Sequence, residues 1–281
     1  MLKLLERNIC AIEQRLVLLA TPHSGILHHF RDVQVDPEAR QRLVREMQQF
    51  RGRIYLHDNA IDRRDLSRDG RHRTPEDERS WHLLMLDKAG RVKACVWYME
   101  HPSSVSFEQL RVGRSPLATQ DAFRVLLWKA VESELERARR DRLRYAEVGG
   151  WAVAPDSRCT SEGLLLALAA YSLGRLGDGS LGMTTATVRH ASATILRRLG
   201  GAPLEDDGLS VPAYYDPRYR CQMEILRFDS RQPNPKYSAL IDLLKEKLTD
   251  VKVLAPVLIP GIAADLPALG NPLPGRRFAA A

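Results

Sequence analysis

The 281-residue sequence has no long apolar run, and this absence excludes one class of protein. A helix that crosses a membrane needs roughly 20 consecutive apolar residues, and no segment approaches that length. Charged side chains interrupt the leucines of the first 20 residues, whereas a signal peptide requires an uninterrupted apolar core. We therefore expect a cytoplasmic protein without a membrane span.

The chain also has few cysteines, and they are widely spaced: Cys10, Cys95, Cys159 and Cys221. They form no C-x-x-C pair, so the sequence suggests neither a zinc site nor a disulfide framework. The eight histidines lack the spacing of metal ligands as well. We expect reduced thiols, no metal site and no permanently bound cofactor.

Basic residues outnumber acidic ones: 42 basic and 35 acidic residues give a net charge of +7. A basic surface attracts nucleic acid, anionic membrane or an acidic partner such as an acyl carrier protein. Arginines concentrate in residues 63–73 and 137–144, where interleaved acids are also typical of a solvated face. Neither segment contains an aromatic residue that could stack on bases, so nucleic-acid binding is the weaker alternative.

Hydrophobic periodicity predicts strands and helices between two helical ends. Residues 2–19 and 38–50 have helical spacing, and a helix is predicted at 236–249. The predicted strands are 81–86, 92–99, 107–112, 145–154, 181–188, 212–215 and 222–228, and the predicted internal helices are 119–140, 164–176 and 189–199. We divide the chain into N-terminal helices (1–52), a mixed domain (53–229), and a C-terminal helix with a tail rich in proline, glycine and alanine (230–281).

The junction between one predicted strand and the next helix carries the most informative motif. Gly149 and Gly150 lie in the strand, and paired glycines there mark a bulge or a close backbone approach. Residues 158–163 then open an apolar helix, where unpaired N–H groups and the helix dipole suit a phosphate group. These features predict an anion-binding loop beside a strand with an accessible backbone.

Residues 147–163 resemble the phosphate-binding loop of the GNAT acyltransferase superfamily, whose pattern is Q/R-x-x-G-x-G/A. Arg158 and Gly163 fit this pattern, while Ser161 stands at its first glycine. Three further pieces resemble the branch that contains acyl-homoserine-lactone synthases and long-chain N-acyl amino acid synthases. They are RIYLH from Arg53, the acids Asp77 and Glu78 before Trp81, and EVGGW from Glu147.

The resemblance implies an α+β fold of three layers, in which helices flank a mixed, mostly antiparallel central sheet and the N-terminal helices form a preface. It implies an N-acyltransferase that moves an acyl group to an amine such as an amino acid. The donor would be acyl-CoA or the acyl-phosphopantetheine of an acyl carrier protein. Lactone synthases carry arginines where this chain has Trp97 and Gly150, which favours a different acceptor. A lactone-type signal synthase and a non-catalytic acyl-binding protein remain alternatives.

The same resemblance assigns roles to individual residues. Glu147 is the predicted general base, because an amine must lose its proton to act as a nucleophile; a structural acid paired with an arginine is the alternative reading. The predicted donor-binding residues are Gly149, Gly150, Trp151, Val153, Arg158, Cys159, Thr160, Ser161 and Gly163. The predicted acceptor-binding residues are Arg53, Asp77, Glu78 and Trp97.

Overall fold

The computed structural model describes residues 2–22, 27–158 and 160–257. Within these ranges the chain forms six α-helices and twelve strands. The helices are α1 (Leu2–Cys10), α2 (Pro37–His57), α3 (Asp121–Arg140), α4 (Glu162–Gly174), α5 (Ser192–Leu199) and α6 (Pro235–Leu248). The strands are β1 (Leu16–Leu19), β2 (Val33–Val35), β3 (Trp81–Leu86), β4 (Val92–His101), β5 (Arg144–Val153), β6 (Ser180–Thr187), β7 (Ala202–Pro203), β8 (Glu205–Asp206), β9 (Leu209–Ser210), β10 (Tyr214–Asp216), β11 (Cys221–Asp229) and β12 (Lys252–Ala255).

One large sheet runs through the described part of the chain in the order β10–β11–β6–β5–β4–β3–β1–β12–β2, and β7 pairs with β11. Strands β8 and β9 pair only with each other. Neighbouring strands are antiparallel except at β5–β6, β1–β12 and β12–β2. The mixed, mostly antiparallel sheet predicted from the sequence is therefore confirmed.

Helices cover both faces of this sheet. Successive residues of a strand point to opposite faces, so neighbouring residues belong to different cores. Val96 and Ala146 belong to the apolar core that includes α4 and α6, whereas Tyr145 belongs to the core that includes α3. Cys95 contacts the core built on α2. We call these two sides the α4 face and the α3 face. Helix α4 is apolar nearly all round and buried over most of its length, as its sequence predicted.

The N-terminal helical prediction holds for α1 and α2 but is wrong for residues 16–19, which form β1. This strand lies inside the sheet, parallel to β12 and antiparallel to β3. Both of its faces are covered, so its residues form a continuous apolar run that periodicity cannot separate from a helix. In the described ranges no helix is long and apolar enough to cross a membrane.

The prediction of a strand at 107–112 is also wrong. Two short 3₁₀ turns occupy this region, Phe107–Gln109 and Val112–Arg114. The backbone N–H of Ser106 donates to the side chain of Gln109, which closes the first turn. The apolar side chains of the segment pack beneath α3 rather than into the sheet. Arg111, between the two turns, is thereby placed on the α3 face.

Candidate active site

Strands β5 and β6 separate in the middle of the sheet. They pair in parallel from Arg144–Ser180 to Val148–Thr184, and the pairing ends there although both strands continue. At the same point Gly150 adopts a φ of +64°, and the register between β4 and β5 shifts. The side chain of Thr184 donates to the carbonyl of Val148 across the last paired position, at 2.7 Å. The glycine pair therefore lies at the point where the sheet opens. The sequence predicted a bulge or a close backbone approach here, and the register between β4 and β5 does shift.

A cavity of about 460 Å³ occupies this opening. Its lining includes Val96 and Ala170, which belong to the core of the α4 face. It also includes Tyr219 and Met223, which belong to the core of the α3 face. The cavity therefore reaches both faces of the sheet through the gap between β5 and β6.

Most of the predicted donor-binding residues line this cavity. They are Gly149, Gly150, Trp151, Val153, Arg158, Thr160 and Gly163. Ser161 does not line it, and its hydroxyl instead accepts a hydrogen bond from the Asn8 side chain at 2.8 Å. Cys159 lies outside the described residues.

The beginning of α4 keeps its own carboxylate away from the cavity. Glu162 forms ion pairs with Arg15 and Lys93 and is not part of the lining. Gly163, the next residue, is part of it. The first N–H groups of a helix have no partner within the helix and lie at the positive end of its dipole. This end of the cavity therefore suits an anionic group.

Two arginines, Arg158 and Arg189, lie together near this end of the cavity. Arg158 donates to a carboxylate oxygen of Asp58 at 2.6 Å, and Arg189 donates to the carbonyl of the same residue at 2.9 Å. Arg189 and Arg198 line the cavity, and within the described chain neither has a carboxylate oxygen inside 4.0 Å. Two guanidinium groups are thus available to an anionic ligand.

Glu147 is buried and lies on the α3 face, between residues that point to the α4 face. One of its carboxylate oxygens accepts from Nε2 of His101 at 3.0 Å. The backbone N–H of Arg111 donates to both oxygens, at 3.0 and 3.1 Å. Glu147 is not among the residues that line the cavity. In the structure this carboxylate anchors the segment that carries Arg111, and its catalytic role stays a prediction.

The predicted acceptor-binding residues are not brought together. Trp97 lines the cavity, but Arg53 and Glu78 are exposed and do not. Asp77 is buried and forms a two-point ion pair with Arg51, at 2.7 and 2.8 Å. Burial alone would raise the pKa of Asp77, but the hydrogen bonds from Arg51 hold it below its ordinary value. Arg51, rather than Arg53, is the arginine of α2 that reaches the cavity.

Sequence reasoning missed four cavity residues on the α3 face: Tyr55, His72, Arg111 and Tyr219. The rings of Tyr55 and Tyr219 meet edge to face with centroids 6.3 Å apart, and His72 lies 5.3 Å from Tyr55. Neither ring nitrogen of His72 has a hydrogen-bond partner among the described residues. Burial lowers the pKa of His72 to about 4, so the imidazole is neutral at neutral pH. No spacing in the sequence could have grouped these residues, because they come from four separate segments.

Comparison with known proteins bears on the fold. No protein-family model and no curated protein matches the sequence. Among solved structures, the chain is similar to a CoA-dependent acyl-homoserine lactone synthase solved with SAM and isopentyl-CoA, at 15% identity and a TM-score of 0.50. The match covers 89% of this chain and 97% of that one. An N-acyl amino acid synthase from uncultured soil microbes matches at 11% identity, over 71% of this chain and 89% of that chain, with a TM-score of 0.44. The chain therefore has the GNAT-type fold, in the form seen in an acyl-homoserine lactone synthase.

Proposed function

We propose that this protein is an N-acyltransferase that moves an acyl group from a thioester to an amine. The observation that carries the proposal is the cavity at the separation of β5 and β6, which reaches both faces of the sheet. A donor that enters from the α4 face and an acceptor that enters from the α3 face would meet in this gap. Holding the two reactants in contact supplies much of the rate enhancement of a bimolecular transfer.

The α4 face supports binding of the donor. A phosphate of acyl-CoA, or of the phosphopantetheine arm of an acyl carrier protein, fits the N-terminus of α4, near which Arg158 and Arg189 are both bonded to Asp58. Beyond Val148, the edge of β5 no longer pairs with β6, so its backbone groups can bond to the amides of a pantetheine arm. The lactone synthase to which the chain is similar was solved with isopentyl-CoA.

Apolar side chains deeper in the cavity support binding of the acyl chain. The lining there includes Val96, Ala146, Ala170, Leu199 and Phe228. Burial of an alkyl chain against such a surface contributes about 0.8 kcal/mol for each methylene group. Exclusion of water from this part of the cavity would also protect the thioester from hydrolysis.

The proposed reaction is direct transfer. The amine nitrogen attacks the thioester carbonyl, the carbon–sulfur bond breaks, the thiolate leaves, and the nitrogen loses a proton as the amide forms. Two residues are candidates for the proton acceptor. Glu147 was predicted for that role, while His72 belongs to the cavity lining, is neutral and has two buried ring nitrogens without a hydrogen-bond partner among the described residues. The Glu147→Gln variant described in the Discussion separates them.

A second candidate is a lactone-type signal synthase, which one observation favours. The arginines expected at Trp97 and Gly150 are absent, but the guanidinium group of Arg111 lies near Trp97 and that of Arg51 lies near Gly150. Arg51 Nη1 is 3.2 Å from the site of a Cβ on Gly150, and Arg111 Cζ is 5.7 Å from the centre of a Trp97 ring. A nucleic-acid-binding function has less support, because the cluster at 137–144 is largely paired with acids.

Two measurements test the proposed function. Thermal unfolding is followed with and without acyl-CoA of several chain lengths, because a ligand that binds the folded state raises the melting temperature. Lipid extracts of bacteria that express the chain are then analysed by mass spectrometry for N-acylated amines and for lactones. We expect stabilisation by acyl-CoA and a new N-acyl product; stabilisation without any product would indicate a non-catalytic acyl-binding protein.

A further inference from the structure

Asp58 binds both of the arginines that lie near the beginning of α4. Its carboxylate accepts a hydrogen bond from Arg158 at 2.6 Å, and its carbonyl accepts one from Arg189 at 2.9 Å. All three residues line the cavity. The side chains of Asp58 and Arg158 are only 14% and 28% exposed, so water screens their ion pair in part. A carboxylate of the protein itself therefore occupies a guanidinium group at the place proposed for the donor phosphate.

The end of α2 fixes the backbone of Asp58. This residue is the C-cap of the helix, and its N–H donates to the carbonyl of Ile54 at 3.0 Å. The chain turns at the next residue, Asn59, whose φ of +54° lies in the left-handed region that asparagine tolerates better than most residues. The side chain of Asp58 can change rotamer and leave Arg158 without any change in the helix.

Asp58 is also the only acidic residue among the described residues that line the cavity. Glu162, the acid at the beginning of α4, is held outside the lining by Arg15 and Lys93. Carboxylate and phosphate oxygens accept hydrogen bonds from the same guanidinium N–H groups. Two anions on one guanidinium group repel each other, and a partly buried site screens that repulsion incompletely. A phosphate that binds Arg158 would therefore meet the carboxylate of Asp58.

We propose that Asp58 competes with the donor phosphate for Arg158, and that this competition sets the affinity for the donor and speeds release of the thiol product. This inference rests on the proposed N-acyltransferase function and adds a residue that determines donor affinity.

The donor and the thiol product carry the same phosphate, which lies away from the reacting carbonyl. Binding that is equally strong before and after the reaction does not accelerate transfer, and it retains the product. Product release limits the turnover of many enzymes. A carboxylate that returns to Arg158 weakens the hold on the phosphate and so favours departure of the thiol.

The test compares Asp58→Asn with the wild type on ligands that differ in phosphate content. The ligands are thioethers of CoA, phosphopantetheine and pantetheine with one alkyl chain, which lack the carbonyl and cannot react. Calorimetry gives each Kd, and circular dichroism checks the fold. Asparagine keeps the shape of Asp58 and loses only its charge. Asp62→Asn is the matched control, because Asp62 lies in the same loop, pairs with Arg64 and Arg220, and does not line the cavity.

We expect Asp58→Asn to bind the two phosphate-bearing ligands roughly threefold to tenfold more tightly than the wild type, the range for a partly exposed charged contact. Its affinity for the pantetheine thioether should not change, and Asp62→Asn should behave as wild type. In an Arg158→Gln background the Asp58→Asn change should have no effect, because the contested guanidinium group is gone. In transfer assays Asp58→Asn should strengthen inhibition by the product CoA by the same factor.

The possible failures are distinct. Weaker binding of the phosphate-bearing ligands by Asp58→Asn would show that Asp58 orients Arg158 for the donor, which is the opposite of competition. Unchanged binding, or an equal gain for the pantetheine thioether, would also overturn the inference. Each of these results leaves the transferase function standing. Binding of none of the three ligands by the wild type or by Asp58→Asn would overturn the proposed donor site together with this inference.

Discussion

The indole ring of Trp97 lies directly against the backbone of Gly150. A Cβ atom added to Gly150 would lie 2.3 Å from Cδ1 of Trp97, and one added to Gly149 would lie 2.4 Å from Cζ2 of the same ring. Real Cβ atoms do not approach other heavy atoms so closely. The Trp97 ring therefore requires glycine at both positions. The three residues lie next to the point where the pairing between β5 and β6 ends.

This relationship predicts that Gly150→Ala is strongly destabilising and that Gly90→Ala is only mildly so. Both glycines have positive φ, +64° and +78°, but a Cβ at Gly90 meets nothing within 4 Å. Gly90→Ala should cost about 1 kcal/mol from backbone strain, and Gly150→Ala about 1–3 kcal/mol more from overpacking against Trp97. Urea unfolding measures both. Addition of Trp97→Ala should remove the extra cost, and a double-mutant cycle without such coupling would contradict the clash.

Gly163→Glu should abolish donor binding while the protein stays folded. The added side chain would place bulk and negative charge in the part of the cavity that is proposed to hold the donor phosphate. Gly163→Ala is the matched control, because a Cβ there makes only ordinary contacts, 3.4 Å from Val153 and 3.6 Å from Trp151. Calorimetry with acyl-CoA distinguishes the two variants. Wild-type affinity in Gly163→Glu would remove the loop at 158–163 from the donor site.

The Glu147→Gln variant distinguishes two roles of Glu147: general base in the transfer, or anchor for the backbone of Arg111. The carboxylate anchors the backbone N–H of Arg111, so we expect the acceptor KM to rise while kcat falls less than tenfold. A general base would behave differently: kcat would fall by about a hundredfold to ten-thousandfold, and the loss would shrink at high pH where more amine is neutral. The pH profile of kcat therefore decides between the roles. A fall of that size would establish Glu147 as the base and leave His72 without that function.

Stability should decrease as the pH falls from about 6.5 towards 4. Burial lowers the pKa of both His72 and His82 to about 4, below the ordinary value of 6.5. The unfolded chain therefore binds protons first, so the stabilisation is complete above pH 6.5 and is lost below it. Each histidine should contribute a slope of up to about 1.4 kcal/mol per pH unit. Urea unfolding at several pH values should show a smaller slope in His82→Gln, with the exposed His57→Gln as the control.

Transfer from an acyl carrier protein, if it is the donor, should be sensitive to salt. The cluster at 63–73 follows Asp58, which is bonded to Arg158 at the cavity, and its members Arg63, Arg68 and Arg73 are exposed. Exposed charges are screened as ionic strength rises, so Arg63→Glu with Arg68→Glu should slow transfer from carrier protein at low salt. Transfer from acyl-CoA serves as the control. Equal rates with both donors at low and high salt would remove the reason for a docking face.

Local patterns in the sequence determined most of the central elements. The periods of 2 and 3.6 residues identified β3, β5, β6 and α4 within one or two residues. The glycine pair predicted an irregularity in β5, and the loop after it lies at the part of the cavity that we propose for the donor. Such features depend on neighbours in the chain, which is why a single sequence contains them.

Tertiary structure alone decided the rest. Strands β1, β2 and β12 are three or four residues long, and each is a strand because another strand lies beside it. Arg51, His72 and Arg111 come from a helix, a loop and a pair of short turns, and they share a cavity only after the chain has packed. Glu147 has the position that its motif predicts, but its partners are set by contacts 36 and 46 residues away. Long-range packing thus selects which charged groups face the cavity, because burial and ion pairing depend on neighbours that no local pattern specifies.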